Sequence, residues 1–588
     1  MGNKPIALFK PLVSSHSRTS FTITSSVLVL LAARNTCNSF SSPQTIQLQR
    51  PYSQNSLLKR KTVSTESKQG IQTNLKASNN PFTSLISDFS SSIMGKSSGP
   101  TGINNQFDSI IQSLTTSNSQ TLHSWSTIRE MLETQQTSNT EKLFRENLKY
   151  GYGDGSPLHH TRLFDKSNKE EDIRVVFYRD SASWCPYCQK VWMTLEEKKI
   201  PYKIEKINMR CYGDKPREFT QMQPSGAIPV AKIDGVVYNQ SNDIIYALET
   251  HFPQSKSILP SKNDINEQRR AQSLLRLERT LFGAWMYWLT GNSFGGERNK
   301  EEFISVLRDV EMELEIANKN NPNGKGFFLG DRVSIVDFMF APFLERMAAS
   351  LLFFKGYQMR TSPSQSTDFP FVNQWFDAME TLESYRLTKS DYYTHCWDLP
   401  PQLGGCTYED SGKPYEDAIN GSRNLNGIGG SWEFPLQEHN GGVEPEWTWC
   451  NEEGLANREA VERVSFNAKN IVKFASRGAG KKGMPPVMAA LSDPNAIGNE
   501  AVQVTVDTLL RVICIIMLDE TQRTNMESFV KETASIITKE AGNDMKTGVV
   551  NSLVYLRDRV GVPRDMRLPA AKLFRANLNW AIGILMEA

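Results

Sequence analysis

Two cysteines three positions apart, Cys185 and Cys188, enclose a Pro-Tyr pair in SASWCPYCQKVWMTLEEKKIPY (residues 181–202). Three chemistries could use such a pair. A structural zinc site takes four ligands, normally from a second spaced pair of Cys or His. Cys211 and His251 stand alone, so no metal is expected. A disulfide between positions i and i+3 closes too small a loop to restrict the unfolded chain much. A working thiol has a mechanism. The residues after Cys185 read as a helix, with Val191, Trp192, Leu195 and Lys199 along one side. A cysteine at its N-terminus faces free N–H groups and the positive end of the macrodipole, which favour a thiolate. Pro186 suits the first turn because its missing N–H has no partner there. Cys188, one turn deeper, is spaced to resolve a mixed disulfide. Lowering a thiol pKa from ~8.5 towards ~5 gains about tenfold in thiolate but loses ~30-fold in nucleophilicity, while improving the leaving group. The pattern therefore suits reversible thiol exchange better than one-way conjugation.

The elements that must hold this turn are legible on both sides of it. IRVVFYRD (173–180) is a β-rich run leading into the cysteines, and KIPYKIEKINM (199–209) reads as a second strand. DKPREFTQMQPSG reads as a loop. AIPVAKIDGVVYNQ (227–240) gives two short strands hinged at Asp234-Gly235. SNDIIYALETHF opens a helix with Ser241 as its predicted N-cap and Ile244, Ile245 and Leu248 on one face. The order β-α-β-loop-β-β-α predicts an α/β domain of thioredoxin-like arrangement over residues 171–256.

Residues 264–390 are helical in pattern, and Ser334 and Asp337 stand at capping-box spacing before an apolar run. Residues 391–453, including DLPPQLGGC, are dense in Gly, Pro and Asn and read as an irregular linker. Residues 454–588 return to helical periodicity, with Phe574, Leu578, Ala581 and Leu585 on one stripe. AVQVTVDTLLRVICIIML (501–518) is very apolar, but Asp507 and Arg511 make it a buried helix rather than an integral membrane span. The fold class is thus α/β plus all-α. A chain of 588 residues fits three or four such units.

Composition excludes some functions. A net charge of +2 offers no footprint for nucleic acid or for an anionic lipid surface. Eight cysteines, mostly scattered, fit a reducing compartment rather than a disulfide framework. Residues 1–90 read as a disordered targeting leader: ten Lys/Arg precede Asp88, Ser and Thr are dense, and Glu66 is the single acid. Residues 91–170 read as a polar arm with one short helix, SWSTIREMLET, and a link, YGYGDGSP.

With these residues on the page, residues 173–390 resemble a glutathione transferase of the cysteine type, beside the omega, lambda, dehydroascorbate-reductase and iota classes. CPYCQKVWMTLEEKKIPY, INMRCYGDKP and PSGAIPV are especially similar to plastid transferase-like proteins of plants and algae. These also carry DLPPQLGGC and a long helical C-terminal extension. The resemblance implies glutathione as co-substrate and Cys185 as the nucleophile that forms a mixed disulfide with it. It implies that Ile228-Pro229 presents a backbone contact through a cis-proline, against an ordinary trans-proline as the plain alternative. Gln240-Ser241 matches a Glu-Ser pair at the γ-glutamyl group, with Gln240 lacking the family's charge. For Ser241 a plain helix cap is the alternative. Lys215 matches a lysine at the glycyl carboxylate, with a solvated surface lysine as the alternative. The partners implied are glutathione with a small electrophile or a glutathionylated thiol, and a homodimer is compatible with the family. The leader, with its short apolar run VLVLLAA, resembles the two-part leaders of algae with secondary plastids; otherwise the protein is expected in the cytoplasm. A second reading is a non-catalytic binding or scaffold module in a plastid complex. A third is an iron–sulfur cluster held by Cys185 and glutathione.

Overall fold

The computed structural model describes residues 122–142 apart from 136, 137 and 140. It also describes residues 161–588 apart from 292–294, 322–323, 362–366, 422–430, 437–442, 446–453 and 488. The predicted leader and most of the arm lie outside the described residues.

A five-stranded mixed sheet carries the cysteine turn, in the order β1-β3-β2-β4-β5. The strands are β1 (Thr161–Arg162), β2 (Val175–Asp180), β3 (Tyr202–Ile207), β4 (Val230–Ile233) and β5 (Val236–Tyr238). Only β2 and β3 run parallel, joined by a crossover helix (Pro186–Glu197), as a parallel pair requires. Alternate β2 side chains, Val175 and Phe177, are fully buried. The hinge at Asp234-Gly235 has positive φ at both residues (48° and 86°), the geometry of a tight two-residue hairpin. Two details differ from expectation. The sheet gains edge strand β1 from the predicted arm, and Arg217–Met222, read as loop, is a short helix seated on buried Phe219.

The helical part follows the prediction at its centre. Helix Ile335–Lys355 is buried along its entire length and packs on Pro186–Glu197, Ile265–Thr290 and Tyr392–Leu403. Its start is fixed by the expected capping box. Asp337 Oδ2 accepts from the Ser334 amide and hydroxyl, both at 2.8 Å. Asp337 Oδ1 accepts from Phe328 N (3.1 Å) and Trp375 Nε1 (3.0 Å).

The linker reading fails at its first residues. Tyr392–Leu403 is helical through Pro400 and Pro401. Both prolines fall in the last turn, where the helix is already ending. Gly404 then turns left-handed (φ 82°), and Gly405 N bonds Pro400 O at 2.9 Å. Burial of Cys396 and Leu399 on the same helix outweighs the lost donors.

Residues 454–588 build a second hydrophobic core around Gln503–Leu518, Arg523–Arg557 and Leu568–Glu587. Phe574, Leu578, Ala581 and Leu585 all face it. The stretch Glu500–Leu518 is long and apolar enough to cross a membrane, and 72% of that window is buried inside this core. The predicted arm helix, Trp125–Thr134, belongs to the same core. Ile128 and Leu132 are fully buried in it, and Trp125 Nε1 bonds Asp507 Oδ1 at 2.8 Å.

Candidate thiol site

The site grows from the end of β2. Asp180 closes the strand, Ser183 takes a left-handed φ of 68°, and the chain turns back into the helix. Cys185 is the N-cap residue of Pro186–Glu197, with extended φ/ψ (−71°, 119°) and Pro186 at the first helical position. Gln189 N closes the first turn on Cys185 O at 3.0 Å. The Asp180 carboxylate reaches back under the turn, where Oδ2 accepts from Trp184 N (2.5 Å) and Cys185 N (3.2 Å). Cys185 is 6% exposed and Cys188 is 1% exposed. Burial, and then the neighbouring Cys185, push the Cys188 thiol well above its ordinary pKa, so Cys188 is held protonated.

The carbonyl of Trp184 is held from the helical domain. Arg346 Nη2 donates to it at 2.6 Å, and Nη1 donates to Gln189 Oε1 (2.9 Å) and Glu345 Oε1 (3.0 Å). His395 Nε2 donates to the same Glu345 at 3.1 Å. Burial, then Arg346, lower the His395 pKa. Next to the turn, Tyr212 OH donates to Asp398, whose carboxyl burial raises to about 7.

A buried lysine of the thiol-site helix packs against the helical domain. Lys190, 3% exposed, sits 4.5 Å from the Phe343 ring and 4.0 Å from Glu278 Oε1. Burial lowers its ammonium to about 7, with Glu278 acting the other way.

The predicted ligand residues gather at this end of the sheet. Ile228-Pro229 is a cis peptide, as the resemblance implied. β2 pairs with β4 through Tyr178 and Val230, so continuing the register puts Ile228 across from Asp180. β4 pairs with β5 through Ala231 and Tyr238, which carries Gln240 to the same end. Lys215 follows β3 and is half-buried. Burial lowers its pKa, while the nearby Cys185, Cys188, Cys211 and Asp180 act to raise it. The exception is Ser241 as N-cap. Gln240 is the cap, with extended φ/ψ and its carbonyl accepting from Ile244 N, so Ser241 is the first helical residue.

Asp180, Cys185 and Cys188 offer three ligand atoms within 4.8 Å of one another, and no other protein ligand joins this group among the described residues. A closed structural zinc site needs a fourth.

From the turn onward the chain matches two known domain families. The family described as "Glutathione S-transferase, N-terminal domain" matches residues 184–251, and "Glutathione S-transferase, C-terminal domain" matches residues 267–378. The two matches lie within residues 184–378, about a third of the chain, and make this part similar to a glutathione S-transferase. Glutathione S-transferase DHAR2 of Arabidopsis thaliana is 28% identical over 35% of this chain and 84% of its own length. Glutathione S-transferase DHAR3, chloroplastic, of the same plant is 26% identical over 35% of this chain and 69% of its own. The solved dehydroascorbate reductase of Chlamydomonas reinhardtii is 21% identical, with 38% of this chain and 94% of that chain covered, at a TM-score of 0.31.

Around this site, sequence reasoning missed Asp180, Lys190, Arg346, Asp398 and the chain segment that covers Trp184. Arg346 had a visible signal: Glu345-Arg346 is the single charged pair inside the apolar run FMFAPFLERMAASLLFF.

Proposed function

We propose that the chain is a glutathione-dependent thiol transferase or reductase in which Cys185 performs the exchange. The observation that carries this reading is Cys185 capping its helix at the sheet end shared by Ile228-Pro229, Gln240-Ser241 and Lys215. The Cys185 thiolate attacks the glutathionyl sulfur of an acceptor disulfide. The Cys185–glutathione bond forms, the acceptor S–S bond breaks, and the acceptor thiolate leaves and takes a proton from solvent. A second glutathione thiolate then attacks the mixed disulfide, releasing oxidised glutathione and restoring Cys185. Ile228 offers its backbone to the cysteinyl unit, Ser241 and the adjacent helix end bind the γ-glutamyl carboxylate, and Lys215 pairs with the glycyl carboxylate. Gln240 leaves the glutamyl ammonium without a facing charge. A glutathionylated thiol is the acceptor of this step. With a glutathionyl adduct the carbon–sulfur bond breaks instead and the carbon takes the proton. Dehydroascorbate takes two electrons and two protons from the Cys185 and glutathione thiols, which join as the same mixed disulfide. A plastid is the proposed compartment, supported by the basic, hydroxyl-rich leader and by a relative designated chloroplastic.

Mass spectrometry of the reduced protein incubated with oxidised glutathione tests this. Cys188→Ser should carry one glutathione on Cys185, the wild type that adduct or a Cys185–Cys188 disulfide, and Cys185→Ser neither. Absence of both products in the wild type would sink the reading and favour a non-catalytic binding module.

A further inference from the structure

The C-terminal extension lies outside the family match, yet it touches the residue beside the nucleophile. Trp184 is fully buried, and its Nε1 donates to Val562 O at 3.1 Å across 378 positions of sequence. Gly561 stands so close that a Cβ there would lie 2.6 Å from Trp184 Cζ2. That is far inside van der Waals contact, so only glycine fits this approach. Arg564 lies 5.0 Å over the same indole. The turn that makes these contacts is braced from within: Gly561 N donates to Asp565 Oδ2 (2.7 Å), and Arg564 Nη2 donates to Arg559 O (2.6 Å). It is also anchored to the core, because Ser390 Oγ donates to Val562 O and Arg575 forms a fully buried ion pair with Asp391 at 2.7 Å.

Trp184 is thus held at three points. Its carbonyl is bonded by Arg346 of the helical domain, and its indole by the extension. Its own amide, and that of Cys185, rest on Asp180. The extension touches a second segment of the same end of the sheet, where Ala489 N donates to Cys211 O (3.3 Å), four residues before Lys215.

We propose that the Gly561-Val562 turn of the C-terminal extension is a positioning element of the thiol site, fixing the Trp184 indole and through it the Cys185 turn. The residues matched to the family are therefore incomplete as a thiol site in this chain. The 135-residue segment 454–588 supplies the wall against which the reactive turn is set. In this role Trp184 and Gly561 act through the Cys185 turn.

The test uses the full chain and two variants that break the same contact from opposite sides. Trp184→Phe keeps a ring but removes the donor to Val562. Gly561→Val drives the turn off the indole. The first readout is the rate at which iodoacetamide alkylates Cys185, followed by mass spectrometry, which requires no glutathione chemistry. The second, which rests on the proposed thiol-transfer reading, is turnover of a glutathionylated peptide. Alkylation should rise at least fivefold in each variant as the nearly sealed thiol is uncovered, while turnover falls at least fivefold. The double variant should match the stronger single rather than multiply the two. Alkylation that stays at the wild-type rate in folded Trp184→Phe protein would overturn the proposal, as would effects that multiply in the double variant. A wild type without turnover, whose variants still show faster alkylation, would refute thiol transfer and leave the positioning intact.

Discussion

Replacing Arg346 by Met should unseat the helical domain's hold on the reactive turn, and the structure sets the size of the effect. The guanidinium is 1% exposed and serves Trp184 O, Gln189 Oε1, Pro342 O and Glu345 Oε1. Methionine keeps most of the packing volume but leaves Glu345 buried without its cation, which typically costs ~3–5 kcal/mol. Orphaning the Trp184 carbonyl adds ~1–3 kcal/mol before relaxation. We expect a net loss of about 4 kcal/mol. At 1.4 kcal/mol per decade, that is roughly a thousand-fold more frequent opening of the helix. Hydrogen exchange followed by mass spectrometry on peptides within 335–355 reads this opening directly. Neutralising the partner as well, in Glu345→Gln/Arg346→Met, removes the stranded charge and should restore at least ~2 kcal/mol. The deficit also has a pH signature. His395 faces Glu345, Arg346 and Asp391, and Arg346 is one cause of its lowered pKa. Without Arg346 its folded pKa rises, so the variant gains stability below the unfolded value of ~6.5. The loss should be smaller at pH 5.5 than at pH 7.5. Unchanged exchange in Arg346→Met, or a double variant as damaged as the sum of both singles, would refute this account.

Asp337→Ala should cost at least ~3 kcal/mol, because it strands the buried Phe328 and Trp375 donors as well as the cap. Ser334→Ala should cost only ~1 kcal/mol, and urea titration separates the two. Asp398 faces Tyr212, Gln402, Arg346 and Asp180, and its carboxyl is raised by burial to about 7. A raised carboxyl stabilises the fold fully below ~4 and loses that contribution as pH rises through 7. Asp398→Asn should therefore match the wild type near pH 4.5 and exceed it progressively towards pH 7.5 in thermal or urea unfolding. Zn²⁺ at micromolar concentration should inhibit thiol exchange by bridging Asp180, Cys185 and Cys188, with EDTA restoring activity. Asp180→Asn should weaken that inhibition at least tenfold, and Cys211→Ser should not.

What the sequence made legible was local. The hairpin at Asp234-Gly235, the Ser334–Asp337 box and the 568–587 stripe each depend on residues within one turn or one helix face. The proline-rich DLPPQL was misread because breaker chemistry was weighed without the burial of Cys396 and Leu399, which only tertiary packing supplies. At the site, Cys185 and its helix could be read, since proline and cysteine carry their roles in their type and spacing. Asp180 could not, because a carboxylate ending a strand looks the same in sequence whether it meets solvent or two backbone amides. The contact of Trp184 with Val562 had no local signature beyond one glycine.

The helix Trp125–Thr134 precedes the family-matched residues in the chain but completes the core that follows them. Its partner Asp507 is 382 positions downstream. During synthesis at ~5–20 residues per second, that interval is on the order of 20–80 s. Until Leu455–Phe466 and then Gln503–Leu518 have been made, the apolar side of Ile128 and Leu132 lacks the neighbours it has in the folded chain. The helix Trp125–Thr134 therefore finds its place only once residues far downstream have been made.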